Sequence, residues 1–127
     1  MIVYSIQWLS VQFLKEGNLS VSMPILKHNP TLADYQSYVI KLEEERGFSA
    51  QNVQGKCLLL GEEVGELFKA IRKQEGVKID TNSKFGSIDE ELADIFIYLC
   101  AIANRYDIDL EKAFRDKEVI NHQRVWR

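Results

Sequence analysis

Five acidic residues stand where acids are costly. Glu62, Glu63 and Glu66 crowd one side of a stretch with helical periodicity, and Glu91 and Asp94 lie three apart in a second one. From Leu92 to Ala103 the single charged residue is Asp94; every other position is Ile, Leu, Phe, Ala, Cys or Tyr. A helix that is apolar on all sides is buried on all sides, and a lone ionised carboxylate there is unfavourable unless something pairs with it. At 100° per residue Glu91 falls within about 40° of Ile95 and Ile102, so it also turns toward the core. Glu63 borders the apolar stripe of Leu60, Leu67 and Ile71. Two such clusters facing each other across paired helices repel, and a hard divalent cation with oxygen ligands relieves that repulsion. No histidine or cysteine accompanies the acids, which favours magnesium, with manganese as a substitute, over zinc. An E-E-x-x-E segment alone is commonly a solvated helix face. The second cluster, in an apolar helix, turns the reading toward Glu63, Glu66, Glu91 and Asp94 as metal ligands.

Four helices must position these residues. Thr31, with Asp34 three residues later, reads as a capping-box start. Tyr35, Tyr38, Val39 and Leu42 then repeat at i, i+3, i+4 and i+7, and Gly47 ends the helix. A second helix is expected from about Ser49 or Ala50 to Glu75, stopped by Gly76, with Cys57, Leu60, Val64, Leu67, Phe68 and Ile71 on its inner face. Val77 to Gly86 is polar and aperiodic, a loop. Ser87 and Glu90 open a third helix that continues to about Tyr106. Asp109 caps a fourth, with Leu110, Ala113, Phe114 and Ile120 turned inward. Helices joined by short loops pack antiparallel. The first 23 residues differ: Ile2, Tyr4, Ile6 and Trp8 alternate with Val3, Ser5 and Gln7 ahead of a Lys15–Asn18 turn, which reads as a marginal hairpin. The alternative is an accessory segment, with the domain opening at Met23-Pro24. The expected organisation is therefore an N-terminal extension, 1–23, and one all-α domain, 24–127.

A chain of 127 residues is one domain by length. Its 46% apolar and 28% charged content is that of a soluble globular protein. A net charge of −3 argues against nucleic-acid binding, which needs a basic face, but allows a phosphorylated small molecule held through a cation. Cys57 and Cys100 both read as buried free thiols of a reducing compartment. The longest apolar run, Ile95–Ala103, is far short of the roughly twenty residues a membrane span needs. The N-terminus lacks a basic n-region and an A-x-A-type cleavage site, so no signal peptide is expected and the cytoplasm is the default location. Burial of the third helix on all sides points to a second subunit.

The acidic residues and their surroundings resemble a known family. Glu62-Glu63-Val64-Gly65-Glu66 within L-L-L-G-E-E-V-G-E-L, followed by Glu91 to Asp94 within E-L-A-D-I-F-I-Y-L, is similar to the paired acidic signature of the MazG-like all-α nucleoside triphosphate pyrophosphohydrolases. The resemblance runs from about Thr31 to Arg127. It implies a four-helix bundle that dimerises, as a homodimer or a dimer of dimers. It also implies Mg²⁺-dependent hydrolysis of (d)NTPs between the α and β phosphates, giving (d)NMP and pyrophosphate in nucleotide-pool house-cleaning. Glu63, Glu66, Glu91 and Asp94 would then ligate metal, and Glu62 would support them or orient the attacking water.

The resemblance also gives Lys117, Asn121 and Arg124 a possible role in holding phosphate or sugar; a cation-rich last turn complementing the helix dipole explains them equally well. Tyr98 looks similar to a family tyrosine pointing into the site, with core packing as the alternative. Phe48 sits near the position of an aromatic that stacks on the base in dCTP-type members, displaced by one residue of spacing. Arg72 and Lys73 read as a solvated helix end. Two other functions stay open: a phosphoribosyl-ATP pyrophosphohydrolase of the same superfamily, and a non-catalytic helical dimer that binds nucleotide or a protein partner.

Overall fold

The computed structural model describes residues 23–127, and the expected hairpin of residues 1–23 lies outside them, Met23 apart. Its ordered elements are four helices: α1 (Leu32–Glu45), α2 (Val53–Gln74), α3 (Ile88–Arg105) and α4 (Leu110–His122). Among the described residues there is no strand.

Local chemistry sets the helix ends. The Thr31 N–H donates to Asp34 Oδ2 at 2.7 Å, and the Asp34 N–H donates back to Thr31 Oγ1 at 3.2 Å, closing the expected capping box of α1. Its C-terminus turns through Gly47 at φ +72°, a left-handed conformation that glycine adopts without a Cβ clash. The second helix begins at Val53, three or four residues later than its periodicity predicts. Asn52 is the cap, its Oδ1 accepting from the Gly55 N–H at 2.8 Å. Ser87 and Asp109 cap α3 and α4 as expected; the Ser87 N–H donates to Glu90 Oε2 at 2.9 Å, and Lys112 N–H donates to Asp109 Oδ1 at 3.1 Å.

The third helix is central, packed on α2 along one side and on α1 along another, while α4 leans on α1. The α2–α3 pairing is antiparallel, since Lys56 reaches Tyr98 while Lys73 reaches Phe85 just ahead of α3. Across the α1 seam Gln36 pairs with Asn104 and Glu43 with Arg105. The core is small: Val39, Cys100 and Ala101, flanked by Tyr35, Tyr38, Phe96, Ile97 and Leu110. Tyr35 meets Phe96 edge to face, ring centroids 5.2 Å apart.

Several expected inward faces are corrected. On α2 the buried residues are Lys56, Glu63, Glu66 and Ala70. Leu60, Val64 and Leu67 are half-buried, and Cys57, Phe68 and Ile71 are exposed. Only Cys100 is therefore a buried thiol. On α4 no residue is buried; Ala113, Phe114 and Ile120 face outward, and of the residues expected inward Leu110 alone is half-buried. Leu92 and Leu99 of α3 are exposed as well. Periodicity locates an apolar stripe, but the charged stripe beside it faces α3 within this chain. No helix among the described residues is long and apolar enough to cross a membrane.

One amide ties α1 to the α3–α4 corner. Gln36 Nε2 donates to Asn104 Oδ1 and to the Ile108 carbonyl, at 3.1 and 2.7 Å, and Gln36 Oε1 accepts from the Leu110 N–H at 3.0 Å. Asn104 Nδ2 closes the ring on the Gln36 carbonyl at 2.9 Å. Gln36→Met keeps the volume but strands the Leu110 N–H and the Ile108 carbonyl. It should lower stability by about 2–3 kcal/mol, read as a lower urea midpoint at unchanged slope. A midpoint equal to wild type would show that water replaces the network at no cost.

Candidate active site

The seam between α2 and α3 carries the chemistry. On α2, Lys56, Leu59, Glu63, Glu66 and Ala70 follow one another at three- and four-residue steps, so they share one face. Opposite them α3 presents Glu91, and half-buried Asp94 and Tyr98 follow it along the helix. Glu63, Glu66 and Glu91 are 3%, 5% and 2% exposed. Each offers a carboxylate oxygen, and these oxygens all lie within 4.8 Å of one another. Glu63 Oε2, Glu66 Oε1 and Glu91 Oε2 are buried and lack a hydrogen-bond partner.

The electrostatic consequence is large. Burial, then the charges of Asp94, Glu66 and Glu91, push the Glu63 carboxyl up to about 8. Burial and the neighbouring Glu91 raise Glu66 to about 7, with exposed Glu62 adding to the repulsion and Lys69 opposing it. Asp94 is raised by burial and by Glu91 and Glu90, against a downward pull from Arg46. Asp94 thus borders the tight trio and shares its field, while Glu62 stands outside in solvent. Tyr98, one turn beyond Asp94, is raised to about 12 by burial and by Glu63 and Asp94.

The loop before α3 helps to hold Glu91. The Gly86 N–H donates to Glu91 Oε1. A Cβ at Gly86 would lie 2.8 Å from that oxygen and 2.5 Å from Glu90 Oε2, so a side chain here would displace both carboxylates. As a hydrogen-bonding loop residue beside the acids, Gly86 was legible in the sequence only as the end of a polar segment.

These residues fit a hard divalent cation. The donors are carboxylate oxygens alone, three of them orphaned in a buried cluster, and no ion pair among the described residues neutralises Glu63, Glu66, Glu91 or Asp94. That donor set suits Mg²⁺ or Mn²⁺.

Farther along the same seam lies a second constellation that sequence reasoning missed. Glu43 of α1, 5% exposed, receives Lys56 Nζ at 3.1 Å and the Arg105 guanidinium at 2.6 and 3.3 Å. The same guanidinium donates to the Phe48 and Gln51 carbonyls, at 3.2 and 3.4 Å, and so fastens the α1–α2 loop. Glu43, Phe48, Gln51, Lys56 and Tyr98 line a cavity of about 220 Å³. The signal for Lys56 was available, since it precedes Glu63 by seven residues on one helix face; the partnership with Glu43 and Arg105 joins three elements and has no local signature.

Phe48 and Tyr98 are therefore brought together beside the carboxylates. Lys117, Asn121 and Arg124 are not: they ride on α4, which packs on α1, with Lys117 and Arg124 exposed and Asn121 Nδ2 bonded to Glu118 at 2.8 Å. Arg72 donates to the Lys78 carbonyl at 2.7 Å, and Lys73 lies over the Phe85 ring, so both serve the loop that follows α2. A larger groove of about 830 Å³ between α1 and α4 holds none of the orphaned carboxylates.

The family model for the MazG nucleotide pyrophosphohydrolase domain matches residues 51–122. Crystal structures of iMazG from Vibrio DAT 722 share the fold. The Ctag form is 33% identical with a TM-score of 0.57, covering 73% of this chain and 99% of that one. The Ntag form is 33% identical with a TM-score of 0.58, covering 77% and 100%. No curated protein matches the chain.

The raised carboxyls link stability to pH. Glu63 near 8 and Glu66 near 7, against an ordinary 4.5, mean that the folded state holds protons the unfolded chain has already released. Their contribution is fully present below about pH 4.5 and is lost as pH rises through 7 and then 8. In EDTA the melting temperature should fall from about pH 5 to about pH 8, and Glu63→Gln should flatten that fall and raise the value at the alkaline end. Mg²⁺ should restore wild-type stability most strongly where the acids are ionised. A melting temperature indifferent to both pH and Mg²⁺ would place these side chains in bulk solvent.

Proposed function

The chain belongs to the MazG nucleotide pyrophosphohydrolase family, and from that premise we propose that it hydrolyses (d)NTPs at the α–β phosphate bond in a Mg²⁺-dependent reaction, releasing (d)NMP and pyrophosphate. The observation that carries this reading is the trio of buried carboxylates, each with an oxygen lacking a partner, gathered within 4.8 Å. A stable core does not retain three such groups without a ligand that answers them.

Glu63, Glu66 and Glu91, with Asp94 at their edge, are the residues proposed to hold the metal. Mg²⁺ bound there supplies neutralisation of the triphosphate charge and acidification of a coordinated water. The chain itself contributes position and field. The Gly86 N–H fixes the Glu91 carboxylate, and the closely spaced acids provide the negative field that favours a cation between them. Exposed Glu62 stands at the mouth, where it could orient an incoming water. Such transfer depends mostly on alignment and charge stabilisation.

The proposed biological setting is nucleotide-pool house-cleaning by a dimer or dimer of dimers. Phe68 of α2 and Leu92 and Leu99 of α3 are exposed apolar residues that a second copy would cover. Within one protomer α4 keeps Lys117, Asn121 and Arg124 away from the carboxylates. Their proposed phosphate contacts therefore require an assembly in which a second copy carries them there.

Pyrophosphate release should be measured across the common NTPs and dNTPs, dUTP and phosphoribosyl-ATP, with and without Mg²⁺. The expected outcome is Mg²⁺-dependent turnover of at least one (d)NTP, reduced on the order of 100-fold or more by Glu63→Gln or Asp94→Asn with a native circular dichroism spectrum. Turnover confined to phosphoribosyl-ATP would move the enzyme to that branch of the superfamily. No turnover of any of them would leave a nucleotide- or partner-binding bundle.

A further inference from the structure

The seam continues past the carboxylates by a measurable length. On α2, Leu59 and Lys56 precede Glu63 by four and seven residues, about 6 and 10 Å along the axis. On antiparallel α3, Tyr98 and Ala101 follow Asp94 by the same steps, hence in the same direction and by about the same distances. These four residues line the 220 Å³ cavity. A nucleotide with its phosphates at the acids thus has a closed space one to two helical turns away, on the scale of a sugar and a base.

The cavity is built for a flat, polar-edged group. Phe48 and Tyr98 supply aromatic surface, and Lys56 Nζ lies 5.4 and 5.8 Å from their ring centroids. Lys56 is 3% exposed and contacts Glu43 Oε2, while an ammonium carries three donors. Arg46 and Gln51 are the remaining polar side chains of the lining, with the Gln51 backbone held by Arg105. Gln51 Oε1 is buried and has no hydrogen-bond partner. A buried amide oxygen without a donor is unfavourable, and a bound group that donates to it removes the deficit.

We infer that Gln51 is the base-reading residue, its Oε1 accepting a hydrogen bond from the exocyclic amino group of a nucleobase laid against Phe48 and Tyr98. Lys56 faces the acceptor ring nitrogen that neighbours that amino group, N3 in cytosine or N1 in adenine. With Oε1 as the inward atom of the Gln51 amide, replacing the amino group by a keto oxygen sets acceptor against acceptor and leaves Gln51 unpaired, which is how a hydrogen-bonding site rejects a near isostere. This assignment rests on the nucleotide-hydrolase reading and names the substrate class that reading leaves open: nucleotides with amino-bearing bases.

The test is kcat/KM for pyrophosphate release from two matched pairs, CTP with UTP and ATP with ITP, in wild type and Gln51→Leu. Wild type should favour the amino member of at least one pair by about tenfold or more. Gln51→Leu should bring that ratio close to one, chiefly by raising KM for the amino nucleotide, with a native circular dichroism spectrum as the control for folding. If the variant does not fold, titration of wild type with CMP against UMP and AMP against IMP decides the question, and equal affinities within both pairs overturn the inference. Turnover without preference in either pair, or a preference that survives Gln51→Leu, overturns it and leaves the hydrolase reading standing. Absence of pyrophosphate release from every nucleotide overturns both.

Discussion

Mutual repulsion among Glu63, Glu66 and Glu91 is the constraint around which the rest of the molecule is arranged. Placing three carboxylates together at 2–5% exposure opposes folding twice, through lost hydration and through like charge. Much of the surrounding structure can be understood as holding them there. Their helices are long, at 22 and 18 residues, and both are capped at the N-terminus. The segment between them ends in Gly86, whose N–H meets Glu91. The opposition is not removed by folding: Glu63, Glu66 and Glu91 each keep a buried oxygen without a hydrogen-bond partner.

The same seam handles buried charge in a second way a turn or two farther along. There one acid, Glu43, meets two cations, Lys56 and Arg105, and the arrangement is closed by hydrogen bonds to the Phe48 and Gln51 carbonyls. An internal ion cluster of this kind contributes little net stability relative to apolar packing, but removing one member leaves an uncompensated charge. Its value lies in geometry: it fixes the loop that bears Phe48 and Gln51 against α3. One end of the seam is paired as folded, and the other keeps its carboxylate oxygens unpaired.

That contrast explains what could be read from the sequence. The helix starts at Thr31, Ser87 and Asp109 were legible because a capping side chain and its partner lie three residues apart, within local view. The start of α2 was misplaced because periodicity alone extends the helix backward over Ser49 and Ala50, past the Asn52 cap on the Gly55 N–H. The acids themselves were legible because Asp94 interrupts an otherwise uncharged run from Leu92 to Ala103. The inward face of α2 was misread because its charged stripe, through Glu63, lies only about 40–60° from its apolar stripe through Leu60 and Leu67. From sequence, the acids are set against the neighbouring helix and that inner side is still given to the whole apolar stripe. Here the acids face α3, Cys57, Phe68 and Ile71 are turned outward, and Leu60, Val64 and Leu67 are half-buried between.

The displaced apolar residues then follow from the site. A helix face that gives its buried positions to Lys56, Glu63 and Glu66 cannot also bury Phe68 and Ile71 against the same neighbour, because the two stripes point to different quadrants. Moving the acids outward would bury more hydrocarbon in the single chain and would abolish the pocket. What is left of the hydrophobic core, Val39, Cys100 and Ala101 with their flanking rings, is correspondingly small, and polar ties such as the Gln36–Asn104 pair carry contacts that side-chain packing does not supply. Assembly with another copy is the means by which such a chain can recover apolar burial without surrendering the charged seam, so the position of the acids and the exposure of Phe68, Leu92 and Leu99 are two consequences of one choice about which face of α2 looks inward.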